Sequence, residues 1–135
     1  MASTETDTRW KQRFQNYKKA FGQLRDALKI QTPDMLQKQG IIQCFEYTFE
    51  LAWKTLQDFL IQEKGYTEKG PRPTLERAFQ DGIITDGIVW MDMLKSRNLT
   101  SHLYDEQEVE KIYAKVVQDY FVQFKTLCAF FETRT

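Results

Sequence analysis

The sequence predicts an all-α protein, an antiparallel bundle of four to five helices. Three observations point there. Apolar residues recur at steps of three and four over long windows, which is the period of a helix with one buried face. No segment sustains the period-two alternation of a half-buried strand, and no hairpin dipeptide separates two strand-like runs. The places where the helical period lapses carry proline, glycine or a capping aspartate. At 135 residues the chain fits one domain with one core.

Residues 1–8 are polar with little to bury, so a disordered tail is expected there and the bundle domain over 9–132. Trp10, Phe14, Tyr17, Phe21, Leu24 and Leu28 then alternate steps of four and three, a stripe opposed by Lys11, Lys18, Lys19 and Arg25. Gln31-Thr32-Pro33-Asp34 breaks this first helix. Proline disfavours helix in the residue before it, and Asp34 caps a second helix reaching about Gln62, with Ile41, Phe45, Thr48, Leu51, Ala52, Thr55 and Phe59 on its buried side. Glu63 to Pro73 holds two glycines and two prolines without apolar period and reads as a loop. Thr74 is the expected cap of a short helix, Leu75 to Gln80, closed by Gly82. Thr85 or Asp86 starts the next, running through Ile88, Trp90, Met91 and Leu94 towards Arg97. Asp105 with Glu108 looks like a variant capping box for a final helix whose stripe is Val109, Ile112, Tyr113, Val116, Tyr120, Phe124, Leu127 and Phe131.

Composition narrows the function. The 19 basic and 19 acidic residues cancel, so any nucleic-acid contact must come from a local patch or from patches combined in an oligomer. Cys44 and Cys128 are far apart, and with one histidine in the chain no zinc set is expected. Both read as buried thiols of a reducing compartment. The first residues lack the basic-then-apolar order of a signal peptide, and no apolar run is long enough to cross a bilayer, so a cytoplasmic location is expected. The six glycines are scattered, none in a phosphate-cradling loop, and no cofactor is expected.

The residues that carry chemistry lie in Arg97-Asn98-Leu99-Thr100-Ser101-His102-Leu103-Tyr104. An arginine cannot lose its proton and offers a planar fork of donors to phosphate oxygens, whereas a histidine gives and takes protons near neutrality. Together they suffice for metal-free phosphodiester cleavage. Five residues turn an unbroken helix by about 500°, about 140° net, so Arg97 and His102 share a site only if the chain unwinds between them. Asn98 and His102, four apart, align even on a continuous helix, which makes Asn98 a candidate helper. The plainer alternatives are a surface salt bridge from Arg97 to Asp92 or Asp105, and an interface role for Tyr104.

The stretch from Trp90 to Glu106, with Phe45-Glu46-Tyr47-Thr48-Phe49-Glu50-Leu51-Ala52-Trp53-Lys54, resembles the HEPN proteins once labelled nucleotidyltransferase substrate-binding subunits, which include HepT-like toxins. The resemblance runs from about Arg9 to Glu132 and includes the family's pattern of arginine, four residues, histidine, any residue, tyrosine. It implies an all-helical homodimer made alongside a small nucleotidyltransferase antitoxin. By position it makes Arg97 and His102 the ribonuclease residues acting on RNA, and Tyr104 the site where the partner attaches AMP. A twofold dimer also supplies the second histidine that paired acid and base work calls for. The rival readings are a non-catalytic module presenting substrate to a nucleotidyltransferase, and a plain helical scaffold. Glu46, Glu50 and Lys54 read as a solvated helix pair rather than a groove. Lys64, Lys69, Arg72 and Arg77 form a candidate phosphate patch diluted by Glu63, Glu68 and Glu76. Trp10, Trp53 and Trp90 read as core or interface residues.

Overall fold

The apolar stripes become a bundle in the computed structural model, which describes residues 3–99 and 105–135, with side chains from Arg9 onward. The helices are α1 (Ser3–Ala27), α2 (Met35–Lys64), α3 (Pro71–Gln80), α4 (Gly87–Leu99), α5 (Glu106–Lys115) and α6 (Phe121–Glu132). A π-helical segment, Val116–Tyr120, joins α5 and α6 into one rod. Among the described residues there is no strand, and the protein is an all-α bundle.

α2 is the central helix, touching α1, α3, α4, α5 and α6. A helix with neighbours on several sides buries more than one stripe, so Phe49, Leu56 and Leu60 are enclosed along with the expected Ile41, Phe45, Ala52 and Phe59, while Leu51 is half-buried. Its ends are fastened as the sequence predicts at one end and by glycine at the other. The Asp34 carboxylate accepts from the Gln37 backbone N–H at 2.8 Å, and the Gln37 side chain accepts from the Asp34 N–H at 2.9 Å, a full capping box. Gly65 closes α2 at φ 70°, a left-handed conformation open to glycine.

α1 begins at Ser3, inside the stretch expected as a tail, and Trp10 is the first buried residue among its described side chains. Trp10, Phe14, Tyr17 and Leu24 are buried, and the half-buried Phe21 stacks on Phe121 at 5.2 Å. Beside this apolar seam, Arg13 Nε lies 2.6 Å from the carboxylate of buried Asp58, tying α1 to α2.

One expectation needs correction. The loop drawn to Pro73 is too long, and Thr74 is not the cap: α3 starts at Pro71 behind Gly70, and Thr74 is a buried residue of its first turn. Proline lacks an N–H, but the first helical positions have no acceptor for one, so Pro71 and Pro73 fit where the helix interior would reject them. On α4, Ile88 is 85% exposed. It lies about 200° around the helix from Trp90, and the face of α4 that meets the bundle is the one carrying Trp90, Met93, Leu94 and Ser96.

The rod's stripe is buried as predicted except for half-buried Tyr113. Asp105 does cap α5, accepting from the Gln107 N–H at 2.9 Å, but Glu108 turns to Lys111 instead of completing a box. Ile112, Val116, Tyr120 and Phe124 follow at three successive steps of four, each of which advances an ideal α-helix about 40° past a full turn. The wider π turn takes up that drift, leaving Val117, Gln118 and Asp119 exposed between buried Val116 and Tyr120.

Candidate functional site

Arg97 stands in the last turn of α4, facing α2. Its Nε lies 3.3 Å from a carboxylate oxygen of Glu50 and its Nη1 3.6 Å from one of Glu46, with the arginine side chain 32% exposed. The expected partners, Asp92 and Asp105, are not the ones these ion pairs use. Glu46 and Glu50 are one helical turn apart, so both carboxylates reach the same side of α2. Glu50 also accepts from the Trp53 indole N–H at 3.3 Å and lies 3.9 Å from Lys54. The solvated Glu–Lys pair expected from spacing is thus present, but it belongs to an arginine-binding wall. The signal for this was the pair of acids at four-residue spacing among the buried stripes of a central helix. Sequence alone does not say which cation faces them.

Asn98 is exposed in the same final turn. His102 and Tyr104 lie outside the described residues, as does any unwinding between Arg97 and His102.

Behind the arginine runs a chain of polar contacts that the sequence reading missed. Ser96, buried, has its hydroxyl 2.6 Å from the Tyr120 hydroxyl, and Tyr120 donates to an Asp92 carboxylate oxygen at 2.5 Å. Lys115 closes the chain with its ammonium 3.1 Å from Asp92. Burial, and then the hydrogen bond to Asp92, push the Tyr120 hydroxyl well above its ordinary value, so it remains a neutral donor. Burial also pushes the Asp92 carboxyl up, but hydrogen bonds from Tyr120 and Lys115, with the charges of Lys115 and Lys95, outweigh it and hold it below the ordinary 3.8.

A carboxyl lowered by folding stabilises the native state fully above its unfolded value, and that contribution is lost as pH falls through the lower folded value. Wild type should therefore lose stability on acidification below about pH 4 more steeply than Asp92→Asn, as read from urea midpoints across an acid series. Parallel acid limbs would show that Asp92 contributes nothing to the linkage.

The other candidates play plainer parts. Arg77 lies 3.6 Å from Asp81 and sits over the Tyr66 ring, and Arg72 is directed at Met91, so these two do not form a shared phosphate cradle. Trp10 and Trp90 are core residues, and Trp53 is half-buried. Both cysteines are free thiols, but Cys44 is only half-buried. Burial pushes buried Cys128 up to about 11, which keeps it protonated and unreactive. Among the described residues no three His, Cys, Asp or Glu side chains converge as a metal set, and no helix is long and apolar enough to cross a membrane.

Comparison with known proteins places the chain by family and fold. A Haemophilus influenzae protein named "Probable ribonuclease HepT" is 32% identical over 88 residues, 62% of this chain, and the match spans 60% of that relative's length. Among solved structures, a Thermus thermophilus protein superposes with a TM-score of 0.79 at 28% identity, covering 84% of this chain and 96% of that one. A second, from Haemophilus influenzae and described as the fold of a substrate binding domain of a nucleotidyltransferase, gives a TM-score of 0.75 at 26% identity, covering 87% and 97%. The sequence profile described as nucleotidyltransferase substrate binding protein like matches residues 12–133, nearly the whole bundle, and the chain belongs to that family.

Proposed function

We propose that the protein is a metal-independent endoribonuclease toxin, acting as a homodimer and silenced by a small nucleotidyltransferase antitoxin that attaches AMP to Tyr104. The observation that carries this reading is the half-buried guanidinium of Arg97 at the end of α4, five residues before the chain's one histidine. The relative named as a ribonuclease supports the same class of reaction. In this reading Arg97 stabilises charge on the phosphoryl oxygens, displacing its contacts to Glu46 and Glu50 as it does so. His102 takes the proton of the attacking ribose 2′-hydroxyl; the bond from phosphorus to the leaving 5′-oxygen breaks, a cyclic phosphate forms, and an imidazolium protonates the leaving oxygen. Asn98 supports the imidazole or a phosphate oxygen. The dimer brings the second histidine. Ile88 and Leu99 are both exposed, and eleven residues bring them within about 20° on α4, with exposed Lys95 between them, which gives a dimer two apolar contacts on that side of the helix.

AMP transfer to Tyr104 makes a bond from the phenolic oxygen to the α-phosphorus of ATP and releases pyrophosphate. The product would carry an anion able to pair with Arg97 and a nucleoside occupying the space of an incoming RNA.

The second reading, a non-catalytic module that presents substrate to a nucleotidyltransferase, is favoured by the family's description and by the two carboxylates that already neutralise Arg97. One experiment separates them. Purified protein should cut RNA in excess EDTA and leave cyclic phosphate ends, and co-expression with the partner should add adenylyl mass that maps to Tyr104 and is absent in Tyr104→Phe. RNA left intact would put the binding module ahead, and inhibition by the partner without mass gain would remove the tyrosine's role.

A further inference from the structure

One side chain touches both walls of the arginine site. Tyr120 is fully buried in the π-helical segment, with its hydroxyl between Ser96 and Asp92 of α4. Its ring stacks on Phe45 of α2 at 5.1 Å and 26°. Ser96 is the residue before Arg97, and Phe45 is the residue before Glu46. Packing alone does not call for this arrangement, because phenylalanine would fill the ring's space without bringing a second hydroxyl into the core beside that of Ser96, where each is costly unless paired.

The geometry says what the pairing controls. Asp92 and Ser96 are one turn apart on α4 and share the face that meets Tyr120, while Arg97 follows about 100° further round, towards α2. Fastening the first face sets the rotation of the helix, and the rotation sets where the guanidinium falls. Turning α4 by about 15° would carry a group about 6 Å from its axis through about 1.5 Å, enough to break contacts of the length that joins Arg97 to Glu50.

We propose that Tyr120 is the positioning residue for Arg97: its hydroxyl, through Asp92 and Ser96, and its ring, through Phe45, fix α4 against α2 and so place the guanidinium at Glu46 and Glu50. The effect on catalysis rests on the ribonuclease reading above; the effect on the arginine's place rests on the contacts alone. Lys115, on the rod one turn before the tyrosine, keeps Asp92 an acceptor for the hydroxyl.

The test is Tyr120→Phe, which keeps the ring stack and removes the hydroxyl. Its control is Tyr17→Phe, which removes an equally buried phenolic hydrogen bond, to the Phe124 carbonyl at 2.7 Å, outside this chain of contacts. The first readout is the Nε–H NMR resonance of Arg97, assigned by its loss in Arg97→Lys. It should shift and exchange faster with water in Tyr120→Phe and stay in place in Tyr17→Phe. The second readout is RNA cleavage, where misplacement of the guanidinium should lower kcat by about tenfold with KM within about twofold. An Arg97 resonance that is unmoved in Tyr120→Phe, or moved equally by the control, overturns the proposal. If wild type cuts no RNA, the ribonuclease reading fails and the resonance alone decides the positioning. Should Tyr120→Phe not fold, Ser96→Ala breaks the same link with a smaller change and carries the same expectation.

Discussion

Arg97→Ala and His102→Ala should each lower RNA cleavage by about a hundred- to ten-thousand-fold, the usual range for removing a transition-state donor or a proton-transfer group. Helical circular dichroism should stay at the wild-type level in both. Arg97 is about one-third exposed, so losing its ion pairs should cost only about 1 kcal/mol or less of stability, with Lys54 remaining to offset repulsion between Glu46 and Glu50. Arg97→Lys is the sharper probe of mechanism. It keeps the charge and the pairing with the carboxylates but loses the planar fork, so it should fold like wild type and recover little of the activity. Full activity in either alanine variant would remove that residue from the proposed chemistry.

Phe124→Ala should be the most damaging single change to stability, costing about 3–5 kcal/mol. Phe124 is fully buried where four helices meet: its ring lies 6.4 Å from Tyr17 of α1, 6.2 Å from Phe45 of α2 and 5.7 Å from Trp90 of α4. No neighbour can collapse into the space without leaving its own contacts, so most of the cavity should persist. With an m-value of about 2 kcal/mol per molar, the urea midpoint should fall by about 2 M. A loss under about 1 kcal/mol would mean that the bundle repacks freely around the gap.

The fold was legible because one-sided helices announce themselves. α1 and the α5–α6 rod each present one face to the bundle, and their stripes from Trp10 to Leu24 and from Val109 to Phe131 could be read residue by residue. α2 was harder, since a central helix buries more than one stripe, and Phe49, Leu56 and Leu60 fell outside the stripe chosen for it. Pro71 misled because its usual meaning, a break, reverses in the first turn of a helix. The site was half legible. Arg97 could be picked out by motif, but its partners on α2 are some fifty residues away in sequence, and nothing local to Glu46 or Glu50 names an arginine. The Ser96–Tyr120–Asp92 contacts were hidden for the same reason, although the three steps of four through Tyr120 did mark where the rod departs from α geometry.

That departure lets the rod absorb a residue. The exposed trio Val117, Gln118 and Asp119 holds one residue more than an α-helical turn would need to join Val116 to the downstream stripe. Their side chains meet solvent and are free to vary in kind. Removing one would let the backbone close into ordinary α-helix and still leave Phe124, Leu127 and Phe131 on the buried face, because eleven α-helical residues turn about 1,100°, within about 20° of three full turns. In the family to which this chain belongs, relatives without the extra residue could keep both halves of the rod seated and would lose only the widened turn beside α4.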